Sequence, residues 1–283
     1  TWGDQQKAIK LYRSAIKADS GFALARAHLS TAYASIYGEW QNDTLWIDKA
    51  MEQAEIAVSL NPDLPEAHYA IGQVFRKKLK YDLSEAAFTQ ALNLRPDYRA
   101  PRNSMASLYR HIGRNNEALS LDNQSLRISQ ALGDRGGEAR SLSDIGITHE
   151  ISGDYNQALE FYNLSLEIMR EIGECEGEAE SLNNIAIIHN LKGDYDQALR
   201  LYTTGLEISR EIGDKKGETI SLNNIGSIFS KRGNYDQALE FYNQSLEIRR
   251  EIGDLDGEAS SLNNIGSIHQ KKGGYDQALE LYV

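Results

Sequence analysis

A forty-residue unit recurs almost unchanged from residue 153 to the end of the chain. Its opening sequence, Gly-Asp-Tyr-Asn-Gln-Ala-Leu-Glu, starts at Gly153 and returns with few changes at Gly193, Gly233 and Gly273. A Ser-Leu-x-x-Ile stretch precedes the four copies, beginning at Ser141, Ser181, Ser221 and Ser261. A fixed period in this range predicts a solenoid, because so short a unit cannot bury its apolar face alone. The pattern therefore favours a binding surface over a catalytic pocket.

The composition fits a helical chain outside the membrane. Hydrophobic residues make up 41% of the 283 residues and charged residues 25%, and only four prolines occur. The single cysteine, Cys175, excludes an intramolecular disulfide and fits a reducing compartment. No apolar run approaches the about 20 residues that span a bilayer, and no signal peptide opens the chain. We therefore expect a soluble, cytoplasmic segment without membrane insertion.

The net charge of −11 is unevenly distributed along the chain. Residues 1–132 hold 16 basic and 14 acidic residues, a net of +2, whereas residues 133–283 hold 14 and 27, a net of −13. An acidic surface repels phosphate backbones, so nucleic acid is not an expected partner of the second part. The same acidity is equally consistent with a protein partner and with simple solubility.

A shorter period of 34 residues runs through the first part of the chain. Asn61-Pro62-Asp63 aligns with Arg95-Pro96-Asp97 at that spacing. Within one unit, the characteristic positions are His68, Ile71, Gly72, Phe75, Tyr81, Phe88, Ala91 and Pro96. This pattern resembles the tetratricopeptide repeat, in which each unit is a pair of helices, A and B. The resemblance implies an all-α fold, a right-handed α-solenoid of helix-turn-helix repeats.

The resemblance divides the chain into two kinds of unit within one continuous solenoid. Residues 1–132 carry units of the 34-residue type, and residues 133–283 carry units of the 40-residue type. Residues 4–18 read as a helix B without a preceding helix A, and residues 275–283 as a helix B that has only begun. The first and last units are therefore expected to be truncated, which suggests a fragment of a longer protein with uncapped ends.

The six extra residues of the longer unit extend helix B. Helix B is predicted to stop at a glycine, which adopts the left-handed conformation without a Cβ penalty; these are Gly133, Gly173, Gly213 and Gly253. A Gly-Glu pair is predicted to begin the next helix A, at residues 137, 177, 217 and 257. The forty-residue unit and its Leu-Asn-Asn sequence resemble the repeats of kinesin light chains and Pins-type scaffolds.

Helix A of each unit lines the concave wall in this family, which predicts a groove over residues 139–271. A pair of polar residues projects into it from each helix A: Ser143-Asp144, Asn183-Asn184, Asn223-Asn224 and Asn263-Asn264. Further groove positions follow along the helices at Asn190, Ser227 and Lys231.

An aligned row of asparagines suits an extended peptide, because each amide offers two donors and an acceptor to a backbone. Asparagine is also a mediocre helix former, costing up to about 0.7 kcal/mol per site relative to alanine. In the resembled family the second asparagine of the pair contacts peptide, which maps onto Asn184, Asn224 and Asn264. Alternatively, these are solvated residues copied by internal duplication. Recognition of an acidic C-terminus is not well supported, because few basic residues other than Lys231 and Lys271 lie near the groove.

Other constellations indicate packing rather than chemistry. His149, His189 and His269 recur at forty-residue spacing where Phe229 stands in the remaining unit, so an aromatic packing role is favoured over a metal site. No nucleotide, metalloprotease or redox motif occurs, so we predict no enzyme activity and no cofactor. The insertion over residues 38–46 carries Trp40 and Trp46, either as an exposed contact patch or as a cover for the adjacent repeat.

The sequence thus predicts an interaction module that binds a protein or peptide segment in the concave groove. One alternative is a regulatory or sensor array within a larger signalling protein, such as a cyclase or kinase fusion. Another is a structural spacer that self-associates through its uncapped ends.

Overall fold

The computed structural model describes residues 2–39 and 44–282 of the chain. These residues form fifteen α-helices and no strand, which confirms the predicted all-α fold class. The helices are α1 (Trp2–Ala18), α2 (Ala23–Glu39), α3 (Thr44–Leu60), α4 (Pro65–Lys77), α5 (Tyr81–Leu94), α6 (Arg99–His111), α7 (Asn115–Leu132), α8 (Arg135–Ile151), α9 (Tyr155–Ile172), α10 (Cys175–Leu191), α11 (Tyr195–Ile212), α12 (Lys215–Lys231), α13 (Tyr235–Ile252), α14 (Leu255–Lys271) and α15 (Tyr275–Tyr282).

The chain divides into two compact units, unit 1 over residues 1–128 and unit 2 over residues 129–283. In each unit, helices that follow one another pack as pairs, such as α4 with α5 and α10 with α11. The second helix of a pair also packs on the first helix of the next pair, as α11 does on α12. Each unit is therefore built as an α-solenoid. In unit 2 we call α8, α10, α12 and α14 the inner helices and α9, α11, α13 and α15 the outer helices.

Glycine ends the outer helices as the sequence predicts. Gly173, at φ 70°, follows α9, and the N–H groups of Gly173 and Glu174 bond back to carbonyls of the last turn. The inner helices begin two residues earlier than predicted, at Cys175 in α10 rather than at the Gly-Glu pair. The reason is that the Glu174 carboxylate accepts the Gly177 N–H at 2.6 Å, so it serves as the helix N-cap. Asp134, Asp214 and Asp254 cap the other inner helices.

The two helices of a pair approach most closely where a glycine meets an aromatic ring. A Cβ placed on Gly146 of α8 would lie 2.6 Å from Cε1 of Tyr162 on α9, closer than two carbon atoms can pack. Tyr162 is fully buried. Gly226 and Tyr242 repeat the arrangement at 2.8 Å, and Ala186 stands at this position in α10. A small residue at this position therefore allows the two helices of a pair to approach each other closely.

The ends and the tryptophan insertion lie partly outside the described residues. Trp40 and Val283 are among the residues that the structure does not describe. Trp46 belongs to α3, is half-buried, and lies 5.5 Å from the Tyr33 ring between centroids. It therefore covers the neighbouring helix, in keeping with one of the two alternatives for this tryptophan. Among the described helices, none combines the length and apolar character needed to cross a bilayer.

Candidate functional site

The inner helices of unit 2 are joined by side-chain hydrogen bonds that span 41 residues. Neighbouring inner helices contact each other directly, α8 with α10 and α10 with α12. In four places a side chain of one inner helix donates to a side chain of the preceding inner helix. These bonds are Asn184 Nδ2 to Ser143 Oγ (3.3 Å), Asn264 Nδ2 to Asn223 Oδ1 (2.8 Å), Lys231 Nζ to Asn190 Oδ1 (2.8 Å) and Lys271 Nζ to Ser230 Oγ (3.2 Å). The side of the inner helices that carries these residues is called the inner face below.

Asn183 departs from this pattern and lies inside the helix packing. Its side chain is only 7% exposed. Asn183 Nδ2 donates to the Ala179 carbonyl at 3.1 Å and lies 3.0 Å from the hydroxyl of the fully buried Ser221 on α12. The same hydroxyl lies 3.1 Å from Asn183 Oδ1. The amide of Asn183 is therefore engaged in joining α10 to α12, although the sequence predicts a groove position for it.

Gly205 on the outer helix α11 explains why Asn183 differs from its equivalents. In the next unit the residue at this position is Ser245, whose hydroxyl donates to the Thr219 carbonyl at 3.1 Å. Gly205 has no hydroxyl, and a Cβ placed on it would lie 3.3 Å from Asn183 Nδ2 and 3.4 Å from the Ala179 carbonyl oxygen. Asn183 thus donates to the Ala179 carbonyl, which is equivalent to the Thr219 carbonyl that accepts from Ser245.

Asn224 is left without an internal partner as a consequence. The 41-residue pattern would pair Asn224 with Asn183, which has turned into the α10–α12 interface. Within residues 2–39 and 44–282 the Asn224 side chain makes no hydrogen bond, and it is partly exposed on the inner face. Its two donors and its acceptor are therefore available to a ligand.

Tyrosine hydroxyls from the outer helices reach the inner face near the C-terminal ends of the inner helices. Tyr162 Oη donates to Glu150 Oε2 at 2.7 Å. At the equivalent place in the next unit, the buried Tyr202 hydroxyl lies near Asn190 but makes no hydrogen bond with a described residue, and burial raises its pKa. Burial likewise raises the pKa of Tyr242, whose hydroxyl lies near Ser227. Ser227 and Asn190 therefore lie next to the hydroxyl groups of buried tyrosines.

Charge changes sign along the inner helices. Near their starts, partial desolvation raises the pKa of Glu180, and the carboxylates of Glu176 and Glu174 raise it further. At the opposite end, Lys231 of α12 and Lys271 of α14 supply positive charge beside the bonds already described. Carboxylates thus cluster around Glu180 near the start of α10, whereas lysines lie at the ends of α12 and α14.

The structure separates the sequence-predicted residues into three groups. Asn184, Asn224, Asn264, Asn223, Asn190, Ser227 and Lys231 lie partly or fully exposed along the inner face. Asp144 occupies the equivalent place on α8 and is partly exposed, and Asn263 is exposed on α14. Asn183 alone is buried. The side-chain hydrogen bonds between neighbouring inner helices were not predicted from the sequence. The polar residues that recur at a spacing of 41 could have indicated them.

Of the recurring histidines, His149 packs as an aromatic residue, as the sequence predicts. The His149 ring stacks on Phe161 with centroids 5.4 Å apart, and Phe229 stacks on Phe241 at 5.5 Å in the equivalent place. His189 Nδ1 lies 3.2 Å from an Asp194 carboxylate oxygen. Within the part of the chain that the structure describes, no group of three or more histidine, cysteine, aspartate or glutamate side chains could hold a metal ion.

Comparison with protein-family models gives a single family description. A model described as tetratricopeptide repeat matches residues 98–171, 152–211, 177–251 and 218–283. A second model with the same description matches residues 65–98. The matched segments together cover residues 65–283. No curated protein matches the chain.

Several solved structures share the fold at low sequence identity. The apo form of RapI matches with a TM-score of 0.63 and 17% identity, over 83% of this chain and 89% of RapI. PH0952 of Pyrococcus horikoshii, a signal transduction ATPase with a tetratricopeptide repeat sensor, matches with a TM-score of 0.66 and 16% identity, over 96% of this chain and 42% of that protein. BtubC from P. vanneervenii matches with a TM-score of 0.55 and 20% identity, over 85% and 87% of the two chains. Identities this low indicate a shared fold alone.

Proposed function

Because the chain belongs to the tetratricopeptide repeat family, we propose that unit 2 is a non-catalytic interaction module that binds an extended segment of a partner protein on its inner face. The observation that carries this proposal is the side-chain amide of Asn224, which makes no hydrogen bond with a described residue, whereas the equivalent amides of Asn184 and Asn264 each donate to the preceding inner helix. An amide can pair with both the N–H and the C=O of an extended backbone. The bound segment would therefore be anchored at α12.

Asn184 and Asn264 support Asn224 on either side. Asn184 makes a long bond of 3.3 Å to Ser143, so a backbone carbonyl of the ligand can compete with that serine. Asn264 is held at 2.8 Å by Asn223, which fixes its orientation before binding. Side chains of the ligand would then contact Ser227, Asn190 and Lys231, which supply specificity beyond the backbone contacts.

Affinity capture tests this proposal with a matched control. The triple variant Asn184→Ala, Asn224→Ala, Asn264→Ala removes the row, whereas Asn243→Ala removes one exposed asparagine from the outer helix α13. We expect a partner captured by the wild-type chain to be retained by the control and lost by the triple variant. Equal capture by all three proteins would contradict the proposal.

A second candidate function is a sensor array within a larger signalling protein. The similarity to PH0952, whose description includes a tetratricopeptide repeat sensor, favours it, and the chain covers 42% of that protein. In that case the ligand of the inner face would be a segment of the same polypeptide or a regulatory protein. The reading frame of the gene tests this candidate, because a sensor requires an effector domain encoded beside the repeats.

We also propose a cytoplasmic location and a partner other than nucleic acid. The net charge of −13 over residues 133–283 supports the choice of partner, because it repels phosphates. The exposed free thiol of Cys175 supports a reducing compartment. Self-association through the open faces of α1 and α15 remains a further proposal, and concentration-dependent mass in light scattering would test it.

A further inference from the structure

We propose that the turn between α4 and α5 forms a second docking surface, in unit 1, for a protein segment that carries an aliphatic side chain flanked by carboxylates. Its central residue is Leu79, which has a positive φ of 57°. Among the described residues, Leu79 is the only non-glycine residue with a positive φ. At the same position in later repeats the chain has glycine, at Gly113, Gly153, Gly193, Gly233 and Gly273.

The left-handed conformation is costly for leucine, so the reason for a leucine at this position has to lie outside the local fold. The turn itself needs the conformation, because the N–H groups of Leu79 and Lys80 bond back to the carbonyls of Arg76 and Phe75 at 3.1 and 2.9 Å. Glycine would satisfy the same turn without strain. Leu79 is 70% exposed, so burial in the fold does not account for it. A strained, exposed apolar residue points to an external contact.

A cavity of about 280 Å³ lies beside Leu79. Its lining includes Arg76, Lys77, Tyr81, Leu108 and His111, together with Leu79 itself. Tyr81 Oη and His111 Nε2 are 2.9 Å apart, which holds α6 against the turn. The cavity thus offers an apolar surface next to cationic groups.

The positive charge around the cavity favours a ligand that carries carboxylates. No carboxylate is among the residues that line the cavity. Lys78 is paired with Asp48 at 2.9 Å, but Lys77 and Lys80 make no ion pair with a described residue. A ligand carboxylate can pair with these lysines while its aliphatic neighbour covers Leu79 and Leu108. The concave, half-open shape of the cavity fits a peptide side chain better than a flat lipid surface.

Peptide selection with the full chain tests the assignment. A random nonapeptide phage library is selected against the wild-type chain and against the variants Leu79→Gly and Lys77→Glu. We expect the wild type to enrich peptides in which leucine, isoleucine or valine stands next to aspartate or glutamate. A synthetic copy of the enriched peptide should bind about tenfold more weakly to either variant.

Three controls separate a lost contact from a lost fold and this surface from the inner face of unit 2. Leu79→Gly suits the turn, so its melting temperature should be no lower than that of the wild type. Leu11→Ala removes an equally exposed leucine on α1 and should leave the affinity unchanged. Asn224→Ala should also leave it unchanged, which makes this surface testable apart from the inner face of unit 2.

Three results would overturn the proposal. The first is the absence of acidic–aliphatic peptides among those selected. The second is equal affinity of the selected peptide for wild type and Leu79→Gly. The third is Leu79-dependent capture of the chain by phosphatidylserine-containing vesicles, or Leu79-dependent dimers in sedimentation, without peptide enrichment, which would assign the surface to lipid or to a second copy.

Discussion

Gly205 on α11 faces Asn183 on α10, and the missing side chain of the glycine leaves the space that the asparagine amide fills. The Asn183 amide bonds the Ala179 carbonyl at 3.1 Å, in place of a hydroxyl from position 205. Its departure from the inner face leaves Asn224 unpaired within the described residues. The glycine at position 205 of an outer helix thus determines whether the Asn224 amide on the inner face has a partner on the preceding helix.

Gly205→Ser should return Asn183 to the inner face. The new hydroxyl would donate to the Ala179 carbonyl, as the Ser245 hydroxyl donates to the Thr219 carbonyl. Asn183 would then bond Asn224, and partner affinity should fall while the free energy of unfolding changes by less than about 1 kcal/mol. The side-chain amide resonances of Asn224 in NMR spectra report the change. Resonances that stay unshifted, with Thr203→Ser as the control, would contradict the relationship.

Gly146→Ala should destabilise the fold by about 1–3 kcal/mol, because the added methyl group would overlap the Tyr162 ring at 2.6 Å. Urea unfolding measures the loss. Gly136→Ala on the same helix is the matched control. A Cβ there would meet nothing nearer than 3.5 Å, and alanine is the better helix former, so stability should rise by up to about 1 kcal/mol. Equal effects at the two sites would contradict the close helix approach.

Leu79→Gly should stabilise the chain by about 1 kcal/mol, because glycine adopts a positive φ without the Cβ penalty that leucine pays. Chemical denaturation measures the gain. Leu11→Gly is the opposite control, since Leu11 lies within α1 and glycine there should cost about 1 kcal/mol. Destabilisation by Leu79→Gly would show that the leucine side chain is needed by the fold itself.

Glu218 should contribute stability that is lost in acid. Burial alone would raise its pKa, but hydrogen bonds from Arg210 (2.8 Å) and Lys215 (3.2 Å) outweigh burial and hold the pKa below its ordinary value. A depressed pKa stabilises the fold above the unfolded value of about 4.3, and the contribution disappears as the pH falls through the folded value. Wild type should therefore exceed Glu218→Gln in stability near pH 7, and the difference should shrink on acidification. A difference that does not depend on pH would contradict this pairing.

The sequence periodicity predicts the fold, because helix pairs of fixed length repeat the same apolar and small positions. Gly146 against Tyr162 and the helix stop at Gly173 follow directly from that pattern. The start of α10 was predicted two residues late, because the cap at Glu174 depends on a single side-chain bond. The burial of Asn183 could not be predicted from its own repeat, since it depends on Gly205, which lies on another helix.

Photo-crosslinking from Asn224 tests the central claim most directly. A benzoylphenylalanine residue replaces Asn224 in one protein and the exposed Asn243 of α13 in another, and both are irradiated in a lysate of the source organism. Binding on the inner face predicts that one partner protein is crosslinked to position 224 through a single linear segment, identified by mass spectrometry. The same partner should not be crosslinked to position 243. Crosslinks of equal yield from both positions, or from position 243 alone, would contradict binding on the inner face.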